Sequence, residues 1–164
     1  LARRAALALA LLTAAAGAAH SGEALRNGFD DPFFQLSHAL ADCPLPAGPF
    51  ITEAERRVQS HHRAEKGTTC WLAGECAQPN AYAYDREIAA AIRAAVRGQR
   101  ALAASTLWVT VQGRIVYIEG CAARASAAAD LEALARRVPH VQQAIAAIRT
   151  DPRERAPYRV RGAR

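Results

Sequence analysis

The chain has 164 residues, with 21 Lys+Arg against 15 Asp+Glu, a formal charge of +6, 51% hydrophobic residues and 22% charged. This composition excludes disorder along the whole length, collagen-like repetition and a polytopic membrane protein, and the length fits one domain or two small ones. Aromatic residues are only 6% and alanine supplies much of the apolar count, so the available core is thin and gains from covalent tethers. Lys66 is the one lysine among the basic residues, and an arginine bias names no partner by itself.

The N-terminus reads LARRAALALALLTAAAGAAH: two arginines, an apolar run from Ala5 to Ala16, then small residues that fit a signal peptidase pocket. Residues 1–19 are therefore expected to be a cleaved secretory signal. A membrane-spanning anchor needs about 20 apolar residues, and this run is shorter. Losing Arg3 and Arg4 with the leader leaves a mildly basic chain, for which nucleic acid is not the expected partner. Export also gives meaning to Cys43, Cys70, Cys76 and Cys121, which in an oxidising compartment make two disulfides in one of three pairings. Every pairing ties the front of the chain to the back once. The favoured arrangement closes a tight loop from Cys70 to Cys76 through Gly74 and leaves Cys43 with Cys121.

Residues 20–80 read as a short helical, cysteine-containing region. Asp31 followed by Pro32 predicts a helix start, with Phe33, Leu36 and Leu40 on one face. The segment Cys43-Pro44-Leu45-Pro46-Ala47-Gly48-Pro49 cannot be helical and predicts an extended loop. Thr52-Glu53-Ala54-Glu55 is a capping box that opens a helix running to about Lys66, with Gly67 as terminator. Residues Thr68 to Asn80 predict a loop in which Trp71 packs on the neighbouring domain or on a disulfide. So few large apolar residues lie here that the region is expected to need the rest of the chain.

Residues 81–150 carry the stronger signals. Asp85 is expected to cap an amphipathic helix with Ile88, Ile92, Ala95 and Val96 on one face, ended by Gly98. Leu107, Val109 and Val111 alternate with Trp108 and Thr110, Gln112-Gly113 marks a turn, and Ile115 to Ile118 returns as a second strand. Ala128, Leu131 and Leu134 give a second helix, stopped by Pro139. Val141, Ala144, Ile145 and Ile148 have helical spacing, so periodicity alone favours a third. Residues 151–164 read as a basic, disordered tail.

From about Tyr84 to Thr150 the order of these signposts resembles the BON domain, named for bacterial osmotic-stress and nodulation proteins. The capped helix from Asp85-Arg86-Glu87-Ile88, the hairpin WVTVQGRIVYIEGCA with Gly113 and Gly120, and the exit LARRVPHVQQAIAAI carry the resemblance. Val138-Pro139-His140-Val141 stands where the family usually has Val-x-Gly-Val, with His140 in place of the glycine. The resemblance implies an α+β fold of order αββαβ, with two helices on one face of a small three-stranded sheet. It also implies that Val141 to Ile148 is a strand, and this expectation is preferred to the periodicity. The family is regarded as a binding module for envelope surfaces, with phospholipid head groups the usual proposal.

No Gly-x-Ser-x-Gly elbow and no glycine-rich phosphate loop occur, so no catalytic residues and no cofactor are expected. His61, His62, Cys70 and Cys76 supply zinc-type donors, but adjacent helical histidines point about 100° apart and export favours oxidised sulfurs, so no metal site is expected. Arg93, Arg97 and Arg100 follow the first domain helix and Arg136 with Arg137 closes the second, where cations stabilise helix C-termini. In the tail, Arg153, Arg155, Arg159, Arg161 and Arg164 outnumber Asp151 and Glu154. The first four are the candidate contacts with an anionic phospholipid surface. The expected function is an exported, non-enzymatic, periplasmic module that binds anionic lipid or another envelope protein. The alternatives are a redox or metal-handling protein using Cys70 and Cys76, and an accessory subunit whose thin core a partner completes.

Overall fold

The structure, a computed structural model, describes residues 23–99 and 102–162. The leader read at residues 1–19, Arg100 and Arg164 lie outside them.

The alternation around Val109 builds a hairpin. Strands β2 (Ser105–Gln112) and β3 (Ile115–Ala122) pair antiparallel, with Trp108 opposite Glu119 and Thr110 opposite Tyr117. The turn sits one residue later than the sequence suggests: Gly113 and Arg114 both have left-handed backbone, φ 59° and 71°, as a two-residue hairpin turn requires. Gly120 is needed for a different reason. Its φ is 146°, and a β-carbon there would stand 2.1 Å from the Thr106 carbonyl oxygen.

Two helices cover one face of this hairpin. Ile88 and Ile92 of the helix Asp85–Ala95, and Leu131 and Ala135 of the helix Ala127–Ala135, bury Leu107, Val109, Val111, Val116 and Ile118. The last apolar stretch is a strand, β4 (Gln143–Arg149), lying parallel to β3 from Ile115 opposite Gln143 to Cys121 opposite Arg149. The ladder overrides the helical spacing because Ala144, Ala146 and Ile148 also satisfy a period of two and turn toward the helices. At the preceding turn His140 adopts the left-handed backbone that glycine would take easily, φ 67°, and its ring lies 4.7 Å from that of Tyr84.

In the front region α1 (Glu53–Gly67) carries the expected capping box, Thr52 and Glu55 each satisfying the other's backbone N–H. A single turn, α2 (Thr69–Leu72), follows; the two helices of the previous paragraph are α3 (Asp85–Ala95) and α4 (Ala127–Ala135). The helix expected after Asp31-Pro32 is instead a strand, β1 (Phe33–His38), paired antiparallel with β2 so that Phe34 lies opposite Val109. Phe34 and Leu36 join the core by strand alternation, and the edge of β2 gains a partner. The front region is thus not simply helical, and the sheet has four strands, β1-β2-β3-β4, rather than three.

The cysteines pair in the favoured arrangement, Cys43 with Cys121 and Cys70 with Cys76. Trp71 does not pack inward: it is 48% exposed beside Leu72, which is 74% exposed.

Candidate functional site

Cys121 lies on the sheet face opposite the helices, since Val116 and Ile118 point into the core and Tyr117, Glu119 and Cys121 alternate with them. Its disulfide draws the loop of residues 43–50 across that face. Over this loop runs the C-terminal segment, so residues 151–162 are not the disordered tail expected from composition. Ala47 donates to the Arg159 carbonyl at 2.7 Å, Arg161 donates to that of Leu45 at 2.9 Å, and Pro46 and Val160 form a bridge. Tyr158 is buried against both bridged sulfurs, 3.5 Å from Cys43 and 3.9 Å from Cys121, and donates to the Pro44 carbonyl at 2.7 Å. Two elements rich in backbone donors and acceptors satisfy one another on the sheet, which the charge content of the segment conceals.

The four candidate arginines separate in this setting. Arg153, Arg155 and Arg159 are exposed along the strap, whereas Arg161 turns inward. Its guanidinium lies 4.1 Å from the Phe50 ring centre and 5.4 Å from that of Phe33, and its Nε and one terminal nitrogen are buried without a hydrogen-bond partner among the described residues. Phe33 and Phe50 meet edge to face at 5.8 Å, so half-buried Arg161 packs the strap against both rings.

Arg159 lines a cleft of about 170 Å³ together with Gly48, Thr110, Gln112, Tyr117 and Glu119. Burial raises the Glu119 carboxyl above its ordinary range, and nearby Arg159 opposes that rise. On the outer side Arg155 and Arg159 border a shallow groove with Leu25, Phe50, Tyr158 and Val160, into which Glu23 and Glu55 also reach. Glu119, Thr110 and Tyr117 were not expected at this surface, although their places on the polar alternation of the hairpin were readable.

The front region docks on the hairpin tip through buried polar groups. Asp31, 6% exposed, accepts both terminal nitrogens of Arg63 and, at 2.6 Å, the side-chain amide of Gln112. Arg63 is held between the rings of Phe29 at 3.8 Å and Tyr82 at 4.3 Å. Asp85 does not cap its own helix: its carboxylate accepts the backbone N–H groups of Gly113 and Arg114. His61 and His62 are exposed on α1, and Cys70 and Cys76 are bonded to each other, so the four donors weighed for zinc do not converge. Among the described residues no group of three or more His, Cys, Asp or Glu side chains could hold a metal ion.

Among the described residues no helix is long and apolar enough to cross a membrane, and two disulfides suit an oxidising compartment. Comparison with curated proteins and comparison with solved structures each give no match. Comparison with protein families matches the BON domain over residues 84–152, the span from the end of the turn before α3 to just past β4. The chain carries a BON domain at residues 84–152.

Proposed function

We propose that this is an exported, non-enzymatic binding module of the cell envelope that holds anionic phospholipid head groups on Arg153, Arg155 and Arg159. The observation that carries the reading is that these three guanidiniums are exposed on a segment whose residues 159 and 161 are bonded through the main chain to residues 47 and 45 of the disulfide-tethered loop. A fixed strap presents its charges together, where a mobile tail would lose entropy on binding. Each basic residue at an anionic membrane contributes on the order of 1 kcal/mol, so the association is weak and salt-sensitive. Glu23, Glu55 and Glu119 lie around the strap and temper the attraction.

Co-sedimentation of the oxidised chain with vesicles tests this. Phosphatidylglycerol-containing vesicles should retain the protein at low salt and release it as salt rises, and phosphatidylcholine vesicles should not retain it. Equal retention on both would rule out head-group charge as the determinant and leave an envelope protein as the partner.

A further inference from the structure

The two disulfides have different surroundings, although Cys43, Cys70 and Cys76 are each half-buried. Cys121 is 4% exposed and Tyr158 covers both sulfurs of its bridge to Cys43, under the strap. The Cys70–Cys76 bridge closes a loop in which Trp71, Leu72, Ala73, Gly74 and Glu75 are all exposed. Within that bridge the sulfurs also differ. Cys76 packs against the edge of the core, and Arg114 donates to its Sγ at 2.7 Å from the hairpin tip. Arg114 is held there by its bond to the His140 carbonyl at 2.8 Å and by the ring of Tyr84 at 5.5 Å. A guanidinium beside a sulfur stabilises its thiolate, and the sulfur with the lower pKa is the better leaving group.

We propose that Cys70–Cys76 is a site of thiol–disulfide exchange with an external dithiol, while Cys43–Cys121 is a structural tether. This stands apart from the lipid-binding reading and survives its failure. A thiolate of the dithiol attacks Cys70 Sγ; the Cys70–Cys76 bond breaks, and its electron pair leaves on Cys76 as a thiolate beside Arg114. The second thiol of the reductant, after losing its proton, attacks the mixed disulfide and releases Cys70, which takes up a proton. The dithiol ends as a disulfide and the chain gains two electrons. The exposed apolar side chains of Trp71 and Leu72 follow Cys70 directly in the one-turn helix α2.

The test uses the oxidised full chain with limiting dithiothreitol at pH 7, followed by alkylation and peptide mass mapping. Cys70 and Cys76 should become alkylated about tenfold faster or more than Cys43 and Cys121. With glutathione as the probe, the mixed disulfide should be found on Cys70. Arg114→Gln should slow opening of Cys70–Cys76 roughly three- to tenfold, and Arg114→Lys should slow it less. Cys43–Cys121 reports on unfolding in the same molecules: if a variant loosens the fold, that bridge opens faster, and the wild-type rate ratio and the site of glutathione then decide. Equal rates for the two bridges, earlier opening of Cys43–Cys121, or glutathione on Cys76 would overturn the proposal.

Discussion

Asp85 Oδ2 accepts the backbone N–H of Gly113 at 2.7 Å, so the first residue of α3 holds the tip of the hairpin that follows it. The second carboxylate oxygen takes the N–H of Arg114 at 2.8 Å. Together they satisfy the two consecutive donors of the turn from inside the protein, and the cost falls on Asp85: at 3% exposure, burial raises its carboxyl to about 6 in spite of those bonds.

The pH dependence follows from that burial. Folding raises the Asp85 carboxyl from 3.8 to about 6, so the folded chain binds the proton more tightly than the unfolded chain. Its contribution favours the folded state fully below about pH 4 and is lost as pH rises through 6. Glu119, also raised by burial, acts in the same direction. Glu53, which Arg56 holds down at about 2, acts in the opposite one at lower pH. Thermal melts should therefore show higher stability near pH 5 than at pH 7, by roughly 1–2 kcal/mol from Asp85. Asp85→Asn should remove most of that gain; a variant with the wild-type pH profile would show that another group is responsible.

The Asp31–Arg63 pair should be a strong noncovalent link of the front region to the rest of the chain, because Asp31 also accepts from Gln112 of the hairpin and Arg63 also packs on Tyr82. Truncating either partner leaves the other buried and uncompensated, which costs roughly 3 kcal/mol. Asp31→Ala also strands the Gln112 amide, and Arg63→Ala empties the space between Phe29 and Tyr82. Urea unfolding of both single variants and the double variant should give a double-variant loss well below the sum. Losses below about 1 kcal/mol in both single variants would place the docking energy elsewhere.

Two left-handed or near-extended positions predict opposite outcomes. Gly120→Ala drives a β-carbon into the Thr106 carbonyl, which belongs to the paired strand and cannot rotate away, so the hairpin should fail to fold natively. His140→Gly relieves about 1 kcal/mol of left-handed strain but loses the stack on Tyr84, so its melting temperature should stay within a few degrees of wild type. Circular dichroism melts of the pair distinguish a steric requirement from a tolerated one.

What could be read in the sequence was local. The capping box of α1 and the alternation of β2 and β3 contain their own evidence within a few residues. β1 did not, because Phe33, Leu36 and Leu40 carry helical spacing and the strand is selected by β2, far along the chain. β4 satisfied two periods at once, and the resemblance to the family resolved it where composition could not. The strap was hidden by its arginines: what orders it is Tyr158 over the Cys43–Cys121 bridge, main-chain pairing with residues 45 and 47, and Arg161 beside Phe50. Sequence identified the arginines as the candidate site, while packing decided that three face solvent and one faces inward.

The proposed lipid-facing charge is that of Arg153, Arg155 and Arg159 acting together. The most direct measurement is vesicle affinity of the triple variant Arg153→Gln, Arg155→Gln, Arg159→Gln beside a charge-matched control, Arg86→Gln, Arg97→Gln, Arg137→Gln, whose exposed residues lie on the helical side. On phosphatidylglycerol vesicles at low salt the strap variant should bind about a hundredfold more weakly and the control should remain within a few-fold of wild type. Equal weakening of both variants would reduce the effect to net charge, and unchanged binding by the strap variant would rule out these arginines as the lipid contact.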